Sequence, residues 1–440
     1  MKVGVVSLGC VKNRVDTEEM LSFLGKDGFQ FVNDPQAAEV LVVNTCGFIA
    51  SAKEESIDAI LEMARHKQTG ACRVLCVTGC LAQRYGSELL EQIPEIDVLT
   101  GVAQYPHLAS YIREAMAGAR AGSTERGEDF SGCGRVLTTA PYTAYIRVAE
   151  GCDNRCAYCA IPLIRGPFRS RPAESILSEM RDLAARGARE QILIAQDTTR
   201  FGADRPGESL AGLLTQAQDI PGVDWLRVLY CYPDGTDKAL IDTMAALPKV
   251  CRYLDLPLQH ASPGVLRRMR RRGDIRQTEE LLLYARDKGF ALRTTMIVGF
   301  PGETDAEFRE LMDFTARVRF DRLGAFAYSR EEDTPAYRMK GQIPEEVKQE
   351  RLDALLTLQR GISLERNRAR VGSTAEVLVT GAQDGVFVGR SRWEAPDSDG
   401  LIRLTGAEGL TPGQMVTARI THAAEYDLAA EVLSAEGGQG

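Results

Sequence analysis

Three short apolar runs near the start of the chain, KVGVVSLGC, EVLVVNTC and RVLCVTGC, each close on a cysteine, at Cys10, Cys46 and Cys80. Unbroken apolar runs of this length, without polar alternation, are the pattern of strands covered on both faces, as in a parallel sheet. Helical spacing of apolar positions runs from Thr17 to Lys26 and from Ser51 to His66 between them, and from Tyr105 to Ala119 after them. Strand, helix, strand, helix, strand predicts an open doubly wound α/β sheet, whose ligands bind beyond the carboxyl ends of the strands. All three cysteines fall there, each beside a glycine (Gly9, Gly47, Gly79) that lets backbone approach a bulky group.

The glycine-, serine- and charge-rich stretch from Gly118 to Gly134 predicts a linker, and a second alternation starts at Tyr142. Its candidate strands are TAYIRVA, EQILIAQ, WLRVLY, CRYLDL, LRTTMIVGF and RLGAFAY, with helical segments such as Ala173 to Arg186 and Asp305 to Val318 between them. Six such units make a partial or complete parallel barrel, with its chemistry at the strand carboxyl ends. Glu345 to Arg370 reads as one long charged amphipathic helix. From Val371 five short β-like runs punctuated by glycine predict a small antiparallel β-barrel of oligonucleotide-binding type, with the tail GGQG disordered. The expected division is residues 1–120, a linker over 121–137, a central unit over 138–368 and a last unit over 371–437.

At 440 residues the chain has room for about three domains at roughly 150 residues each. A net charge of -8 argues against a uniformly basic nucleic-acid coat. No apolar run approaches the roughly 18 residues of a membrane span, and MKVGVVSLGC lacks the basic start and long apolar core of a signal peptide, so a cytoplasmic protein is expected. In that reducing compartment, clustered cysteines mean metal more often than disulfide. With only His66, His107, His260 and His422 available, any metal should sit mainly on sulfur.

The sharpest local pattern is Cys152, Cys156 and Cys159 on one loop after the strand ending at Ala149. Three thiolates so spaced can hold three irons of a [4Fe-4S] cube and leave the fourth iron without a protein ligand. Structural zinc takes four protein ligands, and no natural fourth is present. Cys10, Cys46 and Cys80 are a second candidate set, with the alternative that they are small buried hydrophobes. Cys72, Cys76, Cys133, Cys231 and Cys251 read as structural or incidental.

The spacing CxxxCxxC after the first barrel strand resembles the signature of the radical S-adenosylmethionine enzymes, and EGCDNRCAYCAIPLIRGPFRSR resembles the methylthiotransferases within them. SLGCVKNRVDTE, NTCGFI and GCLAQRY resemble that family's three N-terminal cysteine motifs, and the last unit resembles its TRAM domain, so the likeness covers nearly the whole chain. SLGC-x-KN-x-VD, AQDTT and GRSRWEAPDSDG resemble the branch that modifies an aspartate of ribosomal small-subunit protein twelve. The resemblance implies a radical cluster on Cys152, Cys156 and Cys159 and an auxiliary [4Fe-4S] cluster on Cys10, Cys46 and Cys80. It implies two roles for S-adenosylmethionine, methyl donor and radical source. It also implies an external electron donor such as flavodoxin or ferredoxin, and a sulfur donor. Tyr158 stands where the superfamily flanks the adenine; Gln196 and Asp197 end the second barrel strand, and Ile297, Gly299 and Pro301 lie in a glycine-rich strand end near the adenosine.

Three features bear on partner choice. The run Arg267, Arg268, Arg270, Arg271 and Arg272 reads as a solvated or salt-bridged helix end rather than a phosphate patch. His260 reads either as an active-site lining or as a hydrogen-bonded structural residue. From Val371 onward four arginines face ten acids, including Glu394, Asp397, Asp399, Glu408 and Glu436, an excess of six negative charges that suits a basic protein better than tRNA. The same chemistry on a tRNA adenosine, and a non-catalytic iron-sulfur carrier, stay open as alternatives.

Overall fold

A computed structural model describes residues 1–126 and 134–435; Cys133, Glu436 and the GGQG tail lie outside the described residues. The first unit runs β1 (Lys2–Ser7), α1 (Val11–Lys26), β2 (Gln30–Phe31), β3 (Val40–Thr45), α2 (Ala50–Thr69), β4 (Val74–Gly79), α3 (Cys80–Gln92), β5 (Val98–Leu99) and α4 (Leu108–Met116). The sheet is wholly parallel, in the order β2-β1-β3-β4-β5. The buried runs are its central strands: every residue of β3 and β4 is buried, which is why neither shows alternation. Helices cover both faces, with Met20, Leu24, Leu108 and Ile112 on one and Ile60, Met63, Leu81 and Leu89 on the other. The segment expected as a helix from Tyr105 begins as a 3-10 turn over Tyr105–His107. Ala121 and Ser123, at the start of the glycine- and serine-rich stretch, hydrogen bond along the β5 edge.

The second unit contains β6 (Thr143–Arg147), β7 (Ala149–Glu150), α5 (Ile161–Ile164), β8 (Arg169–Ser170), α6 (Ala173–Ala185), β9 (Glu190–Ile194), α7 (Leu210–Ala217), β10 (Trp225–Val228), α8 (Lys238–Ala246), β11 (Tyr253–Asp255), α9 (Pro263–Arg268), α10 (Ile275–Asp287), β12 (Ala291–Val298), α11 (Asp305–Val318), β13 (Arg322–Ala327) and α12 (Glu345–Arg368). Six parallel strands form two three-stranded sheets, β6-β9-β10 and β11-β12-β13. A bridge between Leu226 and Val250 joins them, so the barrel is partial and open between β6 and β13. Its outer core is the largest apolar cluster of the molecule, running from Ala144 to Leu355.

The last unit is β14 (Thr374–Gln383), β15 (Val386–Ser391), β16 (Ile402–Thr405), β17 (Met415–Ala423) and β18 (Leu428–Ala435), closed in the order β14-β15-β16-β18-β17. Four pairings are antiparallel and one, β16 with β18, is parallel. A further cluster joins all three units: Val15 of α1, Tyr145, Ile192, Trp225 and Tyr253 of the barrel interior, and Leu378, Ala395 and Met415 of the small barrel. Among the described residues, no helix is long and apolar enough to cross a membrane.

The small barrel grips the central unit through buried ion pairs. Glu190 pairs with Arg390 and Arg227, and Glu394 with Arg322 and Arg370. Asp399 accepts from the Tyr253 hydroxyl at 2.6 Å and from the Ala395 amide at 2.8 Å, and Asp397 pairs with Arg14 at 2.9 Å. The expectation of ten acids free to face a basic partner is therefore corrected. Glu394 and Asp399 are internal, because GRSRWEAPDSDG folds back against barrel arginines, and Asp384, Glu408 and Glu431 are among the acids left exposed.

Candidate functional site

The three strand-end cysteines of the first unit meet. Cys10 caps α1, Cys80 is the first residue of α3, and Cys46 follows β3. The loops that carry them touch one another. A methyl group added at Gly9 would lie 2.8 Å from the Cys46 Cβ, and one at Gly47 would lie 2.8 Å from the Leu81 backbone. Gly79 holds φ at +96° and packs against Thr45, a conformation and a fit open only to glycine. Ser56 pins Cys46, accepting from its amide and donating to its carbonyl.

Asn13 ties the loops together. Its amide nitrogen donates to Leu8 and Thr45 carbonyls at 3.0 and 2.8 Å, and its carbonyl oxygen accepts from Arg165 at 2.8 Å. Arg165, from the central unit, also reaches the Cys80 sulfur at 3.4 Å and pairs with Asp16 and Glu150. Burial pushes the Cys80 thiol up to about 12, against the opposing pull of Arg165. A cavity of about 520 Å³ opens beside Cys10, lined in part by Ser7, Arg14 and Thr17.

The set of Cys152, Cys156 and Cys159 lies over the carboxyl end of the barrel. Gly151, with φ +78°, starts its loop; a methyl there would lie 2.0 Å from the Pro167 carbonyl. The Cys152 amide donates to Gly166, and the Cys159 amide to Cys156. Cys156 is buried, with Arg271 and the Tyr232 hydroxyl each 3.8 Å from its sulfur. Arg271 also donates to the Tyr158 hydroxyl and to the Pro257 carbonyl, and lies over the Tyr232 ring. No carboxylate pairs with it among the described residues. Burial raises the Cys159 thiol to about 12.

The residues singled out for S-adenosylmethionine divide into two groups. Tyr158 and Ile297 pack on one apolar cluster with Ala157, Phe300 and Tyr328 beside the cysteine loop. Gln196 donates to Glu150 at 2.6 Å, and its carbonyl oxygen is buried without a partner among the described residues. Asp197 instead braces the loop, accepting from Asn154 and Thr199. The room at Gly299 is taken by the Lys348 stem, with 2.3 Å from an added methyl to Lys348 Cγ, and Pro301 is buried beyond it. Glu303 holds this turn by accepting from the amides of Gly299 and Phe300. His260 is fully buried; its Nδ1 accepts from the Ser262 amide, and its Nε2 lies 3.6 Å from Glu303. The arginine run divides likewise: Arg268 pairs with Glu307, while Arg271 turns inward.

Both sets fit a cube. The donors are sulfur, each set supplies three, and cationic or amide groups face the thiols. No group of three or more histidine, cysteine or acidic side chains among the described residues is placed to hold a single metal ion. A cube, being wider than one ion, spreads its thiolates farther apart. Lys12, Asn13, Arg165, Arg271 and Tyr232 were not singled out from sequence; the first three lie inside quoted motifs, Arg271 inside a run read as surface, and Tyr232 carries no sequence signal.

The first unit spans the mouth of the barrel. On the β6 side, Asp16 and Glu19 of α1 pair with the buried Arg147, and Glu18 pairs with Arg135. On the β13 side, Lys53 pairs with Glu331 at 3.1 Å, and the Ala50 amide donates to the same carboxylate. The two cysteine sets thus face each other across the strand ends.

Residues 2–101 match an uncharacterized protein family, UPF0004; residues 146–315 match the Radical SAM superfamily, and 371–433 a TRAM domain. A ribosomal protein uS12 methylthiotransferase, RimO, of Desulforudis audaxviator is 50% identical over 98% of this chain and 97% of its own. Those of Desulforamulus reducens and Geobacter sulfurreducens are 49% and 47% identical, each over 98% of this chain and 99% of its own. Among solved structures, the radical S-adenosylmethionine methyltransferase TsrM from Kitasatospora setae superposes with a TM-score of 0.55 at 17% identity, covering 88% of this chain and 80% of that one. It shares the fold.

Proposed function

We infer, from the premise that this chain belongs to the ribosomal protein uS12 methylthiotransferase family, that it replaces a hydrogen on the β-carbon of an aspartate in uS12 with a methylthio group. The observation that carries the reading is the pair of three-cysteine sets facing each other across the barrel mouth, joined by Arg165, which touches Cys80 on one side and Glu150, two residues before Cys152, on the other. Cys152, Cys156 and Cys159 would hold the radical [4Fe-4S] cluster, and Cys10, Cys46 and Cys80 the auxiliary one. Bound there, the clusters and S-adenosylmethionine supply the electron, the hydrogen-abstracting radical and the methylthio group.

The protein's own part is placement and exclusion of water. Arg271 balances charge at the first set, while Asn13 and Arg165 hold the second. Tyr158 and Ile297 offer an apolar wall for an adenine, and the unpartnered Gln196 oxygen an acceptor for an amino group. An external one-electron donor of the flavodoxin or ferredoxin type and a sulfur donor complete the proposal. The exposed acids of the last unit favour a basic protein over tRNA, whose phosphates they repel.

Anaerobic reconstitution with iron and sulfide, followed by incubation with uS12, S-adenosylmethionine and reductant, tests this. Mass spectrometry should find one aspartate of uS12 carrying a methylthio group in place of hydrogen. Modification of tRNA adenosine with uS12 untouched would overturn the substrate, and reconstituted protein that forms no 5′-deoxyadenosine would overturn the chemistry.

A further inference from the structure

Lys12, two residues after Cys10, is buried where α1 meets the strand ends of the barrel, with 9% of its surface exposed. Its ammonium stands 2.8 Å from the centroid of the Tyr230 ring, just past the carboxyl end of β10. Among the described residues it meets neither a hydrogen-bond acceptor nor an ion-pair partner. The acids of this region are already taken. Asp255 is held by Arg293 at 2.7 Å and by the Tyr230 amide at 2.9 Å, and Glu150 by Arg147, Arg165 and Gln196. Cys10, Asp255 and Glu150 act on this ammonium through space, but none of them bonds it, so above the aromatic face its three N–H donors are left without an acceptor. Such a group calls for an anion that arrives from outside the chain.

We propose that Lys12 is the specificity residue for the target aspartate, its ammonium binding the side-chain carboxylate of that residue. The inference rests on the functional reading above and deepens it. In aspartate the carboxylate is bonded directly to the β-carbon, so a clamp on the carboxylate fixes the carbon that reacts one bond away. The Tyr230 ring supports the ammonium from below without competing for its donors in the plane of approach. Asparagine has the same shape but no charge, and a site built around a buried cation rejects it, because the cation would stay uncompensated.

The test uses the full-length reconstituted enzyme without reductant and measures binding of labelled uS12 by anisotropy. Two forms of uS12 are compared, one with the aspartate that the wild type modifies and one with asparagine there. Wild type should bind the aspartate form at least about 30-fold more tightly, the lower end of the cost of breaking a buried charge pair. In Lys12→Met the preference should collapse to less than about 3-fold, and Lys12→Arg should restore part of it. Iron content and the electron paramagnetic resonance signals of both clusters establish that each variant is assembled. Equal binding of the two forms by wild type would overturn the assignment without reference to any variant, as would a preference undiminished in Lys12→Met. If wild type modifies no aspartate of uS12, the functional reading fails first and takes this one with it.

Discussion

The two cysteine sets are built in opposite ways. Cys152, Cys156 and Cys159 sit on one loop, so their proximity is a matter of local chain geometry. Cys10, Cys46 and Cys80 come from three loops, brought together by a parallel sheet and by glycines that let those loops touch. The supporting arginines differ too. Arg165, at the second set, is neutralised by Asp16 and Glu150, whereas Arg271, at the first, faces sulfur and phenol with no acid beside it among the described residues. A local loop with an unbalanced cation suits a site whose charge changes during the reaction. A site assembled from distant loops and closed by balanced charges suits holding a group in one place.

The largest expected effects separate the sets outright. Replacing Cys152, Cys156 and Cys159 with alanine should halve the iron of the reconstituted protein from about eight atoms and abolish 5′-deoxyadenosine formation. The alanine triple at Cys10, Cys46 and Cys80 should also halve the iron. It should still form 5′-deoxyadenosine yet transfer no methylthio group to uS12. If both triples lose cofactor cleavage alike, the division of labour between the sets is wrong.

Arg165→Met sharpens the contrast. It removes the bond to Asn13 and leaves Asp16 and Glu150 each short of a partner in a buried network. Breaking such a network costs about 3–5 kcal/mol, measurable by urea denaturation of the apoprotein. Iron retention should fall at the second set first. Arg271→Met breaks no carboxylate pair and should cost less stability, but should lower the reduction potential of the first cluster. Removing one charge at such range is worth on the order of 100 mV at an effective dielectric near 20. A larger potential shift from Arg165→Met than from Arg271→Met would reverse the comparison.

This difference also decides what was legible in sequence. A loop motif carries its geometry in its spacing, so the first set could be read directly. The second was visible only as three strand ends on one sheet edge; that they meet depends on Gly9, Gly47 and Gly79 packing against neighbours, which periodicity does not encode. The strands themselves were plain, because β3 and β4 are buried on both faces. The acids of the last unit misled, because charge is counted along the chain whereas Glu394 and Asp399 find arginines more than thirty residues away in another unit, at Arg322 and Arg293. Arg271 was hidden for the converse reason: in a run of five arginines, no pattern marks the one that turns inward.

The next effect concerns how the small barrel grips the half of the molecule that carries the first set. Arg370 and Arg322 hold the buried Glu394 carboxyl down at about 2, below its usual 4.5. A carboxylate depressed in the folded state adds stability above its unfolded pKa and loses it as pH falls through the folded one. Unfolding free energy should therefore drop by about 3 kcal/mol between pH 4.5 and 2 on this account, at 1.36 kcal/mol per pKa unit. Glu394→Gln should remove that part of the acid dependence while lowering stability at neutral pH. An unchanged acid limb in Glu394→Gln would show that other groups carry it.

The smallest expected effect lies where the same small barrel reaches the half that carries the second set. Arg14 of α1 and Asp397 form an ion pair at 2.9 Å with side chains 38% and 52% exposed. Such pairs contribute under about 1 kcal/mol and fade with salt. Asp397→Asn should therefore shift the denaturation midpoint slightly in low salt and hardly at all at 1 M. Asp399, two residues on, bonds Tyr253 and faces Arg293 with its side chain only 2% exposed. Asp399→Asn should cost several times more and be insensitive to salt, because a buried charge is screened little. The two neighbouring aspartates thus differ in grip: Asp397 is a loose, screened tether to the sheet that assembles Cys10, Cys46 and Cys80, touching the barrel only through the Tyr145 hydroxyl, which an asparagine oxygen still accepts, and Asp399 is a firm anchor to the barrel that presents Cys152, Cys156 and Cys159. Equal costs for the two substitutions, or salt sensitivity in Asp399→Asn, would mean that the last unit holds both halves alike.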